Sequence, residues 1–196
     1  MIIVLTSHID RPKETEIINA LFHEGLDLLH IRKPSMNEDE IKSFIEQIDR
    51  DFHKKLVLHH HYETGLPYGI SHFHFSEQKR RTGMTQTDGK DFAKSTSTHQ
   101  ISDFNGLDAD WDYAFFSPVF PSISKKGYGE NSTKRMELKL RNNPNVKLIA
   151  LGGINEDNIQ LLHNEPIDGV ALLGAVWKSN EPIKTLQKCK KNALIY

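Results

Sequence analysis

The sequence predicts one α/β domain spanning residues 1–196, a (βα)8 barrel of the TIM type with abbreviated helices in the middle of the chain. Three observations carry this expectation. Eight short apolar segments alternate with amphipathic ones, the pattern of parallel βαβ units, and eight such units suffice for closure. The last two strand patterns both run into glycine and then into a helix pattern, as at the phosphate site after the final strands of a βα barrel. A chain of 196 residues is most simply one domain, at the short end of the barrel range, and no linker, repeat or low-complexity tract divides it.

The first strand is read over residues 2–6, followed by a helix over 13–24 with Ile17, Ile18, Leu21 and Phe22 at helical spacing. A strand over 26–32 precedes a helix over 36–52 carrying Ile41, Phe44, Ile45 and Ile48. Asn37 caps it, and Glu38, Asp39 and Glu40 suit the positive end of its dipole. Strands over 56–60 and 72–75 come next, each followed by a stunted crossover, 62–70 and 77–84, where glycines and poor periodicity leave room for little helix. Then come a strand over 92–97, a helix over 100–107, a strand over 113–116 and a helix over 135–141. The near-continuous apolar run 146–151 fits a strand covered on both faces, with a helix over 156–163 behind it. The strand over 170–173 and a helix over 183–191 complete the series.

A net charge of −1 gives no case for nucleic acid or an acidic membrane surface as a partner. The single Cys189 excludes an intrachain disulfide and fits a reducing compartment. No apolar run is long enough to span a bilayer, and Met1 leads directly into a strand pattern rather than a leader, so a cytoplasmic location is expected. The sequence leaves a homodimer open.

Two regions carry candidate chemistry. The aromatic strand pattern ending at Phe116 breaks at Ser117 and Pro118 into a loop with Ser122, Ser124, Lys125 and Lys126. Hydroxyls, backbone N–H groups and ammonium groups on one short loop suit a phosphate or pyrophosphate, although an ordinary surface loop can hold the same residue types. Gly152 and Gly153, and later Leu173 and Gly174, end strands just before helix patterns, where backbone donors can approach an anion; a plain tight turn is the competing reading for the Gly-Gly pair.

Five collinear blocks extend this reading: HIRK at 30–33, STH at 97–99, DYAFFSPVFPSISKK at 112–126, IALGGI at 149–154 and GVALLGAV at 169–176. Together they resemble the thiamine phosphate synthase family and its TenI-type relatives. The resemblance implies a transferase of thiamine biosynthesis that joins an aminopyrimidine diphosphate to a thiazole phosphate and releases pyrophosphate, with magnesium as cofactor and small phosphorylated molecules as partners. It places Arg32, Lys33, Ser97, Ser122, Ser124 and Lys125 on the pyrophosphate, with Arg32, Ser97 and Lys125 as catalytic groups. It also places Gly152, Gly153, Leu173 and Gly174 on the thiazole phosphate.

The chain departs from the family where magnesium is held. The third strand ends in His59 and His60 instead of Asn-Asp, and the fourth runs His74, Phe75, Ser76, Glu77, so that Glu77 remains as the one acid near the expected positions. The lysine that the family carries two positions after the arginine is missing, and Pro34 stands in its place. Among eleven histidines, His59 and His61 share one strand face and His72 and His74 another, and neighbouring strands can bring four imidazoles together. Such a set suits a transition metal better than magnesium, with His59, His60, His74 and Glu77 as candidate ligands. Partly protonated, the same imidazoles would instead replace a metal's charge beside a phosphate. Three functions follow: a divergent synthase, a TenI-like thiazole phosphate isomerase, or a non-catalytic thiamine-phosphate binder or regulator.

Overall fold

In the computed structural model, residues 1–84, 92–121 and 134–193 are described. Strands β1 (Ile2–Leu5), β2 (Leu28–Ile31), β3 (Leu56–Leu58), β4 (His72–Phe75), β5 (Ala93–Thr98), β6 (Tyr113–Phe116), β7 (Lys147–Leu151) and β8 (Gly169–Leu172) pair in sequence order. Every pair is parallel, and β8 closes on β1 through Ile3 opposite Ala171. Between and after them lie α1 (Glu14–His23), α2 (Glu38–Glu46), α3 (Tyr62–Gly65), α4 (Glu77–Arg81), α5 (Ile101–Asn105), α6 (Lys134–Glu137), α7 (Gly174–Trp177) and α8 (Pro182–Ala193). The predicted barrel is therefore present, and α3 and α4 are the stunted crossovers.

Period-two alternation sorts the side chains into two layers. Ile3, Leu5, Tyr113, Phe115, Ile149 and Ala171 pack on one another inside the barrel. Their strand neighbours, such as Ile2, Val4, Ala114, Phe116 and Leu148, join the larger layer under the helices. Register at the N-terminal end is pinned by three aspartates of one type. Asp27, Asp112 and Asp168 each precede a strand and accept the N–H of a residue on the strand before it: Ile2 at 2.6 Å, Lys94 at 2.7 Å and Leu148 at 2.7 Å. A charged acceptor on a backbone donor makes a strong bond, so each crossover is clamped where it returns.

Two helices are shorter than their periodicity predicts. The pattern over 36–52 starts as expected, with Asn37 and Glu40 forming a reciprocal capping box, but ends at Glu46. Beyond it the Asn19 side chain takes the Gln47 carbonyl at 3.1 Å and the Asp49 N–H at 3.0 Å, drawing the chain out of the helical path into a 3-10 segment over Arg50–Lys55. In the 156–163 stretch only a 3-10 turn over Ile159–Leu162 forms. There Asn155 Oδ1 accepts from Asp157 and Asn158, while Asn158 Oδ1 accepts from Asn155, so side chains take the donors a helix start would leave open.

Candidate active site at the barrel mouth

The C-terminal ends of the strands bring together residues from β2 to β5. Arg32 follows β2 directly, and its N–H is held by Thr6 Oγ1 at 2.8 Å. Its side chain is exposed and makes no hydrogen bond or ion pair with the described residues. A guanidinium left unpaired at a strand end is available to an anion. Alternation turns the next residue the other way. Lys33 is 1% exposed and donates to Glu14 at 2.5 Å, while Glu14 also accepts the Ser7 N–H at 3.1 Å. Burial raises the Glu14 pKa more than Lys33 lowers it. Lys33, expected on the pyrophosphate, is thus committed to a buried ion pair behind the sheet.

Of the three consecutive histidines, only His59 enters the barrel. β3 ends at Leu58, and His61 takes a left-handed backbone with φ 52°. His60 Nε2 then lies 2.7 Å from the Lys33 carbonyl and His61 Nε2 3.2 Å from the Met36 carbonyl. The four-imidazole set of His59, His61, His72 and His74 does not form. In its place the described residues show a triangle of His30, His59 and His74, each offering one nitrogen within 4.8 Å of the others. His60 stands outside this triangle, and so does Glu77, whose carboxylate takes Arg81 at 2.7 Å and lies 3.9 Å from both Arg80 and His99.

Each imidazole in the triangle is positioned by named partners. His30, fully buried, has Nδ1 at 3.0 Å from His59 Nε2 and Nε2 at 2.7 Å from the Tyr113 hydroxyl. His74 sits between two serines, Nδ1 at 2.9 Å from Ser95 Oγ and Nε2 at 3.0 Å from Ser97 Oγ. The His59 and His74 rings stack with centroids 4.2 Å apart. Tyr62 ties the ends of β3 and β4 together, its hydroxyl 3.0 Å from the His59 carbonyl and 3.1 Å from the His74 carbonyl, and Lys79 donates to it at 3.1 Å. Burial lowers all three imidazole pKa values, that of His74 to about 3; the neighbouring imidazoles depress His30 and His59 further, and Arg32 acts on His59 and His74. The triangle is therefore neutral at pH 7.

The opposite side of the mouth is built from backbone. Gly152 has φ 102° and Gly153 φ 66°, and a Cβ on Gly153 would stand 2.2 Å from the Pro121 carbonyl oxygen and 2.7 Å from Phe120 Cβ. Val119 and Phe120 donate to the Leu151 and Gly152 carbonyls at 3.0 and 3.1 Å. The Gly-Gly turn thus serves first to seat the segment after β6 against the end of β7. Leu173 and Gly174 begin α7, and Trp177 of that helix donates to the Leu5 carbonyl at 2.6 Å, closing β8 against β1. Ser122, Ser124, Lys125 and Lys126 lie outside the described residues. A cleft of about 410 Å³ at the other end of the barrel is lined by Asp27 and Asp168 among others, and these already clamp strands.

The family model described as thiamine monophosphate synthase matches residues 1–176. The chain belongs to the thiamine monophosphate synthase family. Among curated relatives, the thiamine-phosphate synthase of Clostridium tetani is 25% identical over 157 residues, covering 78% of this chain and 75% of that protein. Among solved structures, the thiamine phosphate pyrophosphorylase of Bacteroides thetaiotaomicron superposes with a TM-score of 0.81 at 26% identity, over 98% of this chain and 96% of the other. That of Pyrococcus furiosus, at 15% identity and a TM-score of 0.78 over 98% and 94%, shares the fold.

The family uses magnesium, and the donors at this mouth do not suit it. Magnesium takes oxygen ligands in a near-octahedral shell. At the ends of β3 and β4 the described residues offer imidazoles, together with a Glu77 carboxylate already held by Arg81.

His30, Ser95, Tyr113 and Tyr62 were not singled out from the sequence as parts of one site. Period-two alternation puts His30 on the face of Leu28 and Tyr113 on that of Phe115, but only barrel register shows that these faces meet.

Proposed function

We propose that this chain is a thiamine phosphate synthase, which joins an aminopyrimidine diphosphate to a thiazole phosphate with release of pyrophosphate. The bond from the pyrimidine methylene carbon to the diphosphate oxygen breaks, and the thiazole nitrogen supplies the electron pair for the new bond. Charge builds on the departing pyrophosphate, so the protein's chief contribution is electrostatic. The observation that carries this reading is Arg32: an exposed guanidinium at the end of β2 with no partner among the described residues, in a chain matched over residues 1–176 by the family. Arg32 meets the leaving group as a fixed counter-charge, and Ser97, 3.0 Å from His74, offers a hydroxyl beside it.

Ser122, Ser124 and Lys125 complete the pyrophosphate site in this reading, with Lys125 as the second catalytic cation. Backbone donors around Gly152, Gly153, Leu173 and Gly174 take the thiazole phosphate. The whole of residues 1–196 works as one domain in the cytoplasm. The test is to incubate purified protein with both substrates and measure thiamine phosphate and pyrophosphate. Equal yields of the two products are expected. Binding of thiazole phosphate without product would move the chain to the isomerase or binder class.

A further inference from the structure

We infer that His30, His59 and His74 form a transition-metal site at the base of the barrel mouth, a three-imidazole centre with its open position facing the anion-binding residues. It deepens the synthase reading by naming the cation at that mouth, and rests on that reading only for the role of the bound metal.

The geometry carries the inference in three steps. First, the donors converge: one nitrogen from each ring lies within 4.8 Å of the others, and His30 Nδ1 stands 3.0 Å from His59 Nε2. Two imidazole nitrogens bound to one zinc-sized ion at ~2.1 Å would be separated by about 3.4 Å in a tetrahedral arrangement, a separation the His30–His59 pair is close to; His59 and His74, stacked at 4.2 Å, must turn for their lone pairs to meet at the same ion.

Second, the other sides of two of the rings are already occupied as metal-bound histidines require. His30 Nε2 is 2.7 Å from Tyr113 Oη and His74 Nδ1 is 2.9 Å from Ser95 Oγ, both partners inside the barrel. With those nitrogens donating N–H, His30 Nδ1 and His74 Nε2 carry the lone pairs, the outer-sphere arrangement that fixes tautomer and ring orientation at metal sites; His74 Nε2 accepts from Ser97 Oγ at 3.0 Å, so a metal there displaces that hydroxyl. The contact between His30 and His59 then holds a proton on His59 Nε2. Metal entry would replace that N–H···N bond with two nitrogen–metal bonds and move the proton to His59 Nδ1, leaving both imidazoles neutral while the ion adds its own charge to the site.

Third, the surroundings match three protein ligands plus one exchangeable position rather than a closed structural site. His30 and His74 are buried, whereas His59 is half-buried and faces the mouth with Arg32 close enough to act on it. A divalent ion there and the Arg32 guanidinium would flank a phosphate oxygen in the open position. Imidazole selects zinc, cobalt, nickel or copper over magnesium.

The experiment is a titration of chelator-treated, full-length protein with cobalt(II), read by visible d–d absorption, followed by displacement with zinc. One equivalent bound in a four- or five-coordinate spectrum, bleached by zinc and untouched by excess magnesium, is expected. His59→Asn and His30→Gln should each weaken binding at least 100-fold while circular dichroism shows the barrel intact. His61→Ala should bind as the wild type does. Absence of saturable binding, or full retention in His59→Asn, would overturn the site. Because no substrate is present, this outcome stands apart from failure of the synthase reading, which shows instead as missing product.

Discussion

The end of β7 meets its neighbour through backbone, whereas the ends of β2, β3 and β4 meet theirs through side chains. On the first side, Gly152 and Gly153 take positive φ so that carbonyls can reach Val119 and Phe120, and any Cβ would collide with the Pro118–Pro121 stretch. On the second, three imidazoles, Tyr113 and two serines are joined by hydrogen bonds and ring contacts in the barrel interior, and the Tyr62 hydroxyl ties the ends of β3 and β4 from outside. The contrast teaches where such a site can change its chemistry. A backbone site is tied to turn geometry and tolerates little substitution, while a side-chain site can exchange carboxylates for imidazoles on the same strands without altering the barrel.

Acid is the strongest way to break the side-chain half. The three imidazoles are depressed in the fold and return to about 6.5 on unfolding. A depressed folded pKa means that the unfolded chain binds more protons below 6.5, so stability falls as pH falls through the window from 6.5 towards about 3 for His74. In chelator-treated protein, chemical denaturation should show stability falling steadily between pH 7 and 5, with His74 alone contributing about 2 kcal/mol of the loss. A flat profile would mean that the rings are solvated.

Removing one partner of the buried pair behind this half comes next. Lys33→Met strands Glu14 and should cost about 3–5 kcal/mol in denaturation, and pairing it with Glu14→Gln should recover most of the loss. Retained stability together with weakened pyrophosphate binding would return Lys33 to the site. Arg32→Ala probes the exposed side of the same half: turnover should drop by roughly two orders of magnitude or more, with an unchanged thermal midpoint, because the side chain has no partner among the described residues. Gly153→Ala tests the backbone half. It should lower stability by about 1–3 kcal/mol and weaken both phosphate ends, since the displaced neighbours, Phe120 and Pro121, directly precede Ser122 in the chain. Loss confined to thiazole phosphate would show that the glycine serves that ligand alone. The smallest effect is expected far from either half: Asn37→Ala should cost about 1 kcal/mol through the lost cap and leave turnover unchanged.

Much of this contrast was legible in the sequence. Strand–helix alternation and glycine-ended strands gave the barrel and all eight strands, because hydrophobic periodicity and turn chemistry are local. Helix ends over 46–52 and 156–163 were not legible: Asn19 acts on residues far along the chain, and Asn155 and Asn158 look like any polar helix start. The imidazole triangle was half visible. His59 stood out as a replacement in a family pattern and His74 as a histidine that pattern shares, but His30 joins them only through the β2–β3 pairing, in which Ile31 lies opposite Leu58. His60 and His61 looked equivalent to His59 because nothing local marks the end of β3 at Leu58. Lys33 was read as facing the mouth by its neighbour's role, whereas alternation after Arg32 sends it outward.

The measurement that bears most directly on the central claim, a family barrel whose magnesium side has been rebuilt in imidazole, is the initial rate of thiamine phosphate formation by metal-stripped protein. It would be taken with zinc or cobalt, with magnesium, and with chelator alone. The account predicts a rate that returns with the transition metal, is lost in His59→Asn, and gains nothing from magnesium over chelator. A rate restored by magnesium alone and unchanged in His59→Asn would contradict it.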